Sequence, residues 1–307
     1  MTQPSAPVPP GSHQGGLPYA LAAYAIWGIV PLFFKLLTGV PPIEVLAQRI
    51  IWSLPLCFLI MLYRRQISDY LAAFRDWRVL RMLVASSALI ALNWLVYINA
   101  IFTDHVLAAS LGYYLNPLVN VMLGMIFLGE RLSRLQALAV AFAAVGVAIL
   151  LAGALDTLWI SLTLAFTFAF YGLIRKVVPV GALPGLAIET SLLMPAAIAA
   201  AGYYLWIGDG RGFGTGTGIS LLLAAGGVIT AVPLLLFATA ARRMSFAALG
   251  FVQYLAPSIV FLLGLFVFDE ALKPAQLFCF LLIWVSIAIF SFDTWRKMRA
   301  EKMVAVA

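Results

Sequence analysis

Ten apolar runs, each close to twenty residues, leave this chain of 307 residues few folds to choose from. They cover roughly residues 17–37, 43–63, 79–101, 106–127, 135–152, 157–175, 184–206, 218–241, 246–268 and 274–293. A helix of ~20 residues crosses the hydrocarbon core of a bilayer. In lipid every backbone N–H and C=O must find its partner within the spanning segment, so unbroken apolar runs predict helices, whereas barrel strands would alternate. With 64% hydrophobic and 10% charged residues, the chain is no ordinary soluble domain. The expected fold is an all-α integral membrane protein with ten transmembrane helices. The weakest boundary falls between 135–152 and 157–175, where Asp156 is the main polar break.

A second regularity organises the ten spans. Leu92 to Gln136 aligns without a gap to Val232 to Gln276, an offset of 140 residues. Pro117 falls on Pro257, Gly124 on Gly264, Glu130 on Glu270, and Tyr114-Leu115 on Tyr254-Leu255. Apolar composition inflates chance matches among Leu and Ala, so the Pro, Gly and Glu agreements carry the weight. Each half holds five spans, an odd number, which predicts two inverted five-helix repeats over 17–152 and 156–293. A disordered cytoplasmic tail is expected over 1–16 and a basic cytoplasmic tail over 294–307.

Basic residues give the orientation. Fifteen fall on one set of turns and on the C-terminal tail: Arg64, Arg65, Arg75, Arg78, Arg81, Arg131, Arg134, Arg175, Lys176, Arg242, Arg243, Arg296, Lys297, Arg299 and Lys302. The opposite turns hold Arg211 and Lys273. The positive-inside rule then predicts both termini in the cytoplasm. The net charge of +7 reflects topology and attraction to anionic lipid, not nucleic-acid binding. The N-terminal tail has no basic n-region, so the first run is read as helix and not as a signal peptide. The stretch 64–78, RRQISDYLAAFRDWR, is amphipathic and predicts a surface helix with Leu71 and Phe74 on one side.

Several chemistries find no footing. Cys57 and Cys279 lie inside apolar spans, which supports neither a disulfide framework nor a metal site. The glycine-rich stretch 208–218 is followed by no GxxxxGK[ST], so it reads as a flexible turn, and ATP is not the direct energy source. No cofactor is expected. Asp104-His105 has no evident nucleophile partner.

Charged residues within spans are functional candidates because lipid makes them costly. Arg49 stands almost two turns into the second span, with Trp52 and Ser53 on its face, and suits an anionic or aromatic group. The alternative is a structural tie to Glu44, to Glu189 or to a helix carbonyl end. Glu189 is a candidate for proton coupling, or an interfacial charge. Lys35 snorkels from the end of the first span. In the fourth span Tyr113, Asn116, Asn120 and Gly124 share one face with Pro117, and Gln253, Pro257 and Gly264 hold related places in the ninth. These polar, proline-marked walls are read as lining a cavity, against the alternative of amides joining helices. Trp27, Trp94, Tyr113 and Tyr254 are the aromatic candidates for its walls.

The stretches LPYALAAYAIWGIVPLFFK, EVLAQRIIWS, LNWLVYINA, SLGYYLNPLVNVMLGMIFLGERL, FAFYGLIRK and GFVQYLAPSIVFLLG resemble the EamA-type permeases of the drug/metabolite transporter superfamily. The resemblance covers Leu17 to about Asp293. Gly129-Glu130 matches the ending of an EamA repeat, whereas the second copy reads Asp269-Glu270. The resemblance implies a ten-helix inner-membrane permease with alternating access, related to carriers that move amino acids, metabolites or drugs, often outward. The expected function is a secondary transporter, an exporter of a small polar or amphiphilic metabolite or drug. Its substrate site is expected at Arg49, Trp27, Trp94, Tyr113, Asn116, Asn120, Gln253 and Tyr254. The alternatives are a membrane-embedded or lipid-modifying enzyme and a passive channel. The partners expected are a small-molecule solute and membrane lipids, with a homo-oligomer left open.

Overall fold

The computed structural model describes residues 15–37, 39–102, 105–151, 155–207, 212–267 and 274–306. Asp104, Arg211, Asp269, Glu270 and Lys273, together with the predicted tail over 1–14, lie outside the described residues. The elements are α1 (Leu17–Lys35), α2 (Pro42–Tyr63), α3 (Ile67–Arg75), α4 (Trp77–Phe102), α5 (Val106–Leu128) and α6 (Arg134–Leu151), then α7 (Leu158–Val177), α8 (Ala182–Ile207), α9 (Thr217–Arg243), α10 (Phe246–Gln253), α11 (Leu255–Phe266) and α12 (Pro274–Val306). A 3₁₀ turn at Leu155–Thr157, containing Asp156, separates α6 from α7. Among the described residues ten segments are long and apolar enough to cross a membrane, with α10 and the start of α11 making one of them and α3 none.

Two boundaries differ from expectation. The ninth span is interrupted at Tyr254, between α10 and α11. Pro257 weakens the helix at this point, since it lacks an N–H and its ring crowds the carbonyl four residues back, that of Gln253. The equivalent Pro117 lies inside α5, which runs through it. The tenth span, expected to end near 293, continues as α12 to Val306.

The amphipathic stretch forms α3, which packs on α8 and α4. Tyr70 reaches from α3 to within 3.1 Å of the Ser191 hydroxyl on α8 and packs edge-on against Phe58, and Ala73 is buried beside it. Leu71 and Phe74, expected to define the apolar side, are exposed. Asp76 starts α4 by accepting the N–H groups of Arg78 and Val79.

Helices from the two halves of the chain interleave. Across the halves, α1 packs on α9 and on α10 and α11, α2 on α8 and α9, α4 on α7 and α8, α5 on α7 and α10, and α6 on α12. Lipid supplies no hydrophobic drive between helices, so close backbone approach matters instead. At Gly227 on α9 a β-carbon would lie 2.5 Å from the Trp52 carbonyl carbon, and at Gly250 on α10 it would lie 2.9 Å from the Pro117 oxygen. These glycines let α9 meet α2 and α10 meet α5. The α6–α12 pair is tied by the buried Asp293, which accepts from Ser133 at 2.7 Å and pairs with Lys297 at 3.1 Å.

Candidate functional site

Five helices, α2, α4, α7, α8 and α9, surround a narrow cavity of about 20 Å³, room for about one water. Half of its wall is Ile, Leu and Ala, and Ser53, Trp94, Tyr171, Glu189, Thr190 and Thr230 supply the polar or aromatic groups. Glu189 lines it, and Arg49 reaches its Thr230 wall.

Arg49 stands on α2. Its Nε donates to the Thr230 hydroxyl at 2.7 Å, and Thr230 in turn donates to the Gly226 carbonyl at 2.8 Å. The guanidinium carbon lies 5.3 Å from the centre of the Phe34 ring and 5.9 Å from that of Trp94. The Tyr97 and Tyr113 phenols are within its electrostatic reach. Aromatic faces and a hydroxyl hold this charge, which leaves the bidentate fork suited to a carboxylate or similar anion. Glu44, considered as a partner for Arg49, instead accepts the Phe213 N–H at 2.8 Å.

Glu189, on α8, is engaged by three side chains. Ser86 donates to it at 2.5 Å, the Arg175 guanidinium lies at 3.6 Å, and the Tyr171 hydroxyl at 3.5 Å. Arg175 is fully buried and also donates to the Ala182 carbonyl at 2.7 Å. Arg175, counted among the fifteen basic residues of the turns, is a buried counter-ion at the end of α7. Arg49 and Glu189 are 140 residues apart in the chain and carry opposite charges.

The amides of α5 have a different neighbourhood. Asn116 donates to the Ala165 carbonyl on α7 at 2.7 Å, and Asn120 donates to the Asn116 oxygen at 3.2 Å and to Gln253 Oε1 at 3.1 Å. Tyr24 on α1 also donates to Gln253, at 3.5 Å. This buried network joins α1, α5, α7 and α10, and none of its members lines the cavity. Trp27 belongs to an aromatic cluster with Tyr24, Phe168 and Phe237. Tyr113 packs edge-on against Tyr97, and Tyr254 is buried against Phe251. Of the expected site residues, then, Trp94 and Glu189 line the cavity and Arg49 borders it.

Sequence reasoning passed over Thr230, Ser86, Arg175 and Phe34. Ser86, Ile90, Asn93, Trp94 and Tyr97 repeat at helical spacing along one side of α4, a signal that was available. Asn93 donates to the Leu164 carbonyl and to the Thr167 hydroxyl on α7, both at 2.9 Å. Among the described residues no cluster of His, Cys, Asp and Glu could hold a metal ion.

Ten helices long and apolar enough to cross a membrane among the described residues, five of them around a cavity, make this a multi-pass membrane protein. The profile of the EamA-like transporter family matches residues 14–152. Protein RarD of Escherichia coli K12 is 44% identical over 293 residues, covering 94% of this chain and 97% of that one. An uncharacterized transporter of Pseudomonas aeruginosa is 45% identical over 289 residues, covering 92% and 95%. A second P. aeruginosa protein, named chloramphenicol-sensitive protein RarD, is 33% identical, covering 94% and 97%. A crystal structure matches with a TM-score of 0.70 over 92% of this chain and 99% of that chain; at 18% identity it speaks for the fold alone. The chain belongs to the EamA-like transporter family, as a permease of the RarD type and not an enzyme.

Proposed function

We propose that the protein is a secondary transporter of the bacterial inner membrane that exports a small polar or amphiphilic organic solute, a metabolite or drug, by alternating access and without ATP. The observation that carries this reading is Arg49, a guanidinium held beside a narrow cavity by aromatic faces and one hydroxyl. It receives the anionic group of the solute, Trp94 stacks on its apolar body, and Thr230 and Ser53 orient its polar atoms. The buried amides Asn116, Asn120 and Gln253 join the helices around that site. Glu189 is the candidate for proton coupling.

Two inverted five-helix repeats fit the helix packing. Exchanging the halves turns the α1–α9 contact into α7–α4, α2–α9 into α8–α4, and α1–α10/α11 into α7–α5. The α2–α8, α5–α10 and α6–α12 contacts map onto themselves. With the buried Arg175 set aside, fourteen basic residues on one set of turns and the tail against two on the other favour cytoplasmic termini.

Counterflow into proteoliposomes tests the reading. Chloramphenicol belongs among the first solutes because it stands in the name of one relative. The expected result is saturable flux with counterflow, lost on Arg49→Ala. Flux of an identified solute that survives Arg49→Ala sinks the site.

A further inference from the structure

The segment 212–216, between α8 and α9, folds as a turn of its own and lies over the N-terminal end of α2. Thr215 donates to the Gly212 carbonyl through its hydroxyl at 2.7 Å, the Gly214 N–H donates to Ser220 at 3.0 Å, and Gly214 adopts a φ of +90°. Its tie to α2 is the buried Glu44, whose Oε1 accepts the Phe213 N–H at 2.8 Å. A β-carbon on Gly212 would lie 1.9 Å from that same oxygen, so only glycine lets the carboxylate in. The Phe213 ring centre lies 5.8 Å from that of Trp52, and the ring packs on the buried cluster of Leu37, Val40, Val45 and Leu223. Phe34 packs on the same cluster and is the ring against the Arg49 guanidinium. The turn and Arg49 are therefore linked through this cluster and not by a direct contact.

We propose that residues 212–216 form a strap that closes the cavity on the α8–α9 face, and that Glu44 is the positioning residue that latches it. The inference rests on the reading of the cavity as the solute site. Glu44 and Arg49 lie five residues apart on one helix, about 7.5 Å along its axis. A solute that draws Arg49 away from Phe34 loosens the packing under Phe213, and any tilt of α2 moves the latch. Opening needs one hydrogen bond to break and one ring to leave its slot, with the turn itself intact.

The test is thiol accessibility in the full chain, read without any solute. Cys57 and Cys279 are replaced by Ala, Ser53→Cys is introduced in the cavity wall, and a membrane-impermeant maleimide is added on the α8–α9 face. With the strap latched, labelling is slow. Glu44→Ala removes a charge-assisted hydrogen bond and is expected to speed labelling about tenfold or more. Glu44→Gln keeps an acceptor oxygen and stays near the parent rate. Phe213→Ala, on the strap itself, gives the same acceleration and carries the test alone if Glu44→Ala does not fold. Parent-like labelling in Phe213→Ala, or in a folded Glu44→Ala, overturns the strap. That result is independent of counterflow, which tests the solute site.

Discussion

Arg49 on α2 and Glu189 on α8, 140 residues apart, carry opposite charges beside one cavity: Glu189 lines it, and Arg49 bonds to its Thr230 wall. Their surroundings differ in kind. Glu189 has a full opposite charge at 3.6 Å, in Arg175, and a hydroxyl at 2.5 Å from a helix of the other half, α4. Arg49 has a hydroxyl at 2.7 Å, also from a helix of the other half, α9, and the faces of Phe34 and Trp94. A charge in a low-dielectric interior needs compensation, and a carboxylate–guanidinium pair supplies far more of it than a hydroxyl and two rings. The difference separates two tasks. Glu189 meets a counter-ion from within the protein, whereas Arg49 meets none among the described residues, which is why the proposed solute site is placed at Arg49.

The largest expected effect follows from breaking the compensated pair. Arg175→Leu leaves Glu189 buried beside Ser86 and Tyr171 with its counter-ion gone, and loss of one partner of a buried pair costs about 3–5 kcal/mol. Thermal unfolding in detergent should show a large fall in Tm, with Glu189→Gln in the same chain restoring most of it. A parent-like Tm in Arg175→Leu would mean the pair contributes nothing to the fold. Arg49→Leu is the matching change at the other charge. It removes a charge that no carboxylate meets among the described residues, so stability should move by no more than about 1 kcal/mol in either direction. Solute counterflow should fall at least about tenfold, and Arg49→Lys should not restore it in full, because an ammonium lacks the planar fork. Equal melting losses in Arg49→Leu and Arg175→Leu would erase the distinction between the two charges.

Apolar length alone made the ten spans readable, because lipid requires each to satisfy its own backbone. The interruption of the ninth was not readable in the same way. Pro117 and Pro257 are the same letter at matched places, yet α5 runs on while α10 stops. What decides is how the surroundings meet the freed carbonyl, and that is tertiary information. Arg49 announced itself as a charge inside a span, but its partner Thr230 is 181 residues away and carries no local mark. Arg175 was hidden by its position, at the end of a span where a snorkelling cation is ordinary. The stripe of Asn116 and Asn120 defined a face of α5 without defining what that face meets. That face turned out to meet Gln253 and the Ala165 carbonyl.

A smaller effect tests how Arg49 is held. Gly227 brings α9 against α2 one turn before Thr230, and a β-carbon there would meet the Trp52 backbone at 2.5 Å. Gly227→Ala overpacks this crossing, at a cost of about 1–3 kcal/mol. It should also separate Thr230 from Arg49, so KM for the solute should rise while Tm falls. A lower Tm with KM unchanged would show that the hydroxyl is not what orients the guanidinium.

The smallest expected effect decides between two roles for the amides. Asn120→Leu removes the bonds to Asn116 and Gln253 at 3.2 and 3.1 Å, while Gln253 Oε1 keeps the Tyr24 hydroxyl. Hydrogen bonds between membrane helices are worth about 0.6 kcal/mol on average, because the unfolded helices also find partners in the bilayer. The Tm should therefore drop only slightly, and solute KM should stay within about twofold of the parent, since 0.4 kcal/mol is a factor of two. If KM rises as steeply as in Arg49→Leu, the polar face of α5 is a wall of the solute site in another conformation of the transporter. The cavity seen here would then be one end of a longer path that passes the Asn120–Gln253 crossing.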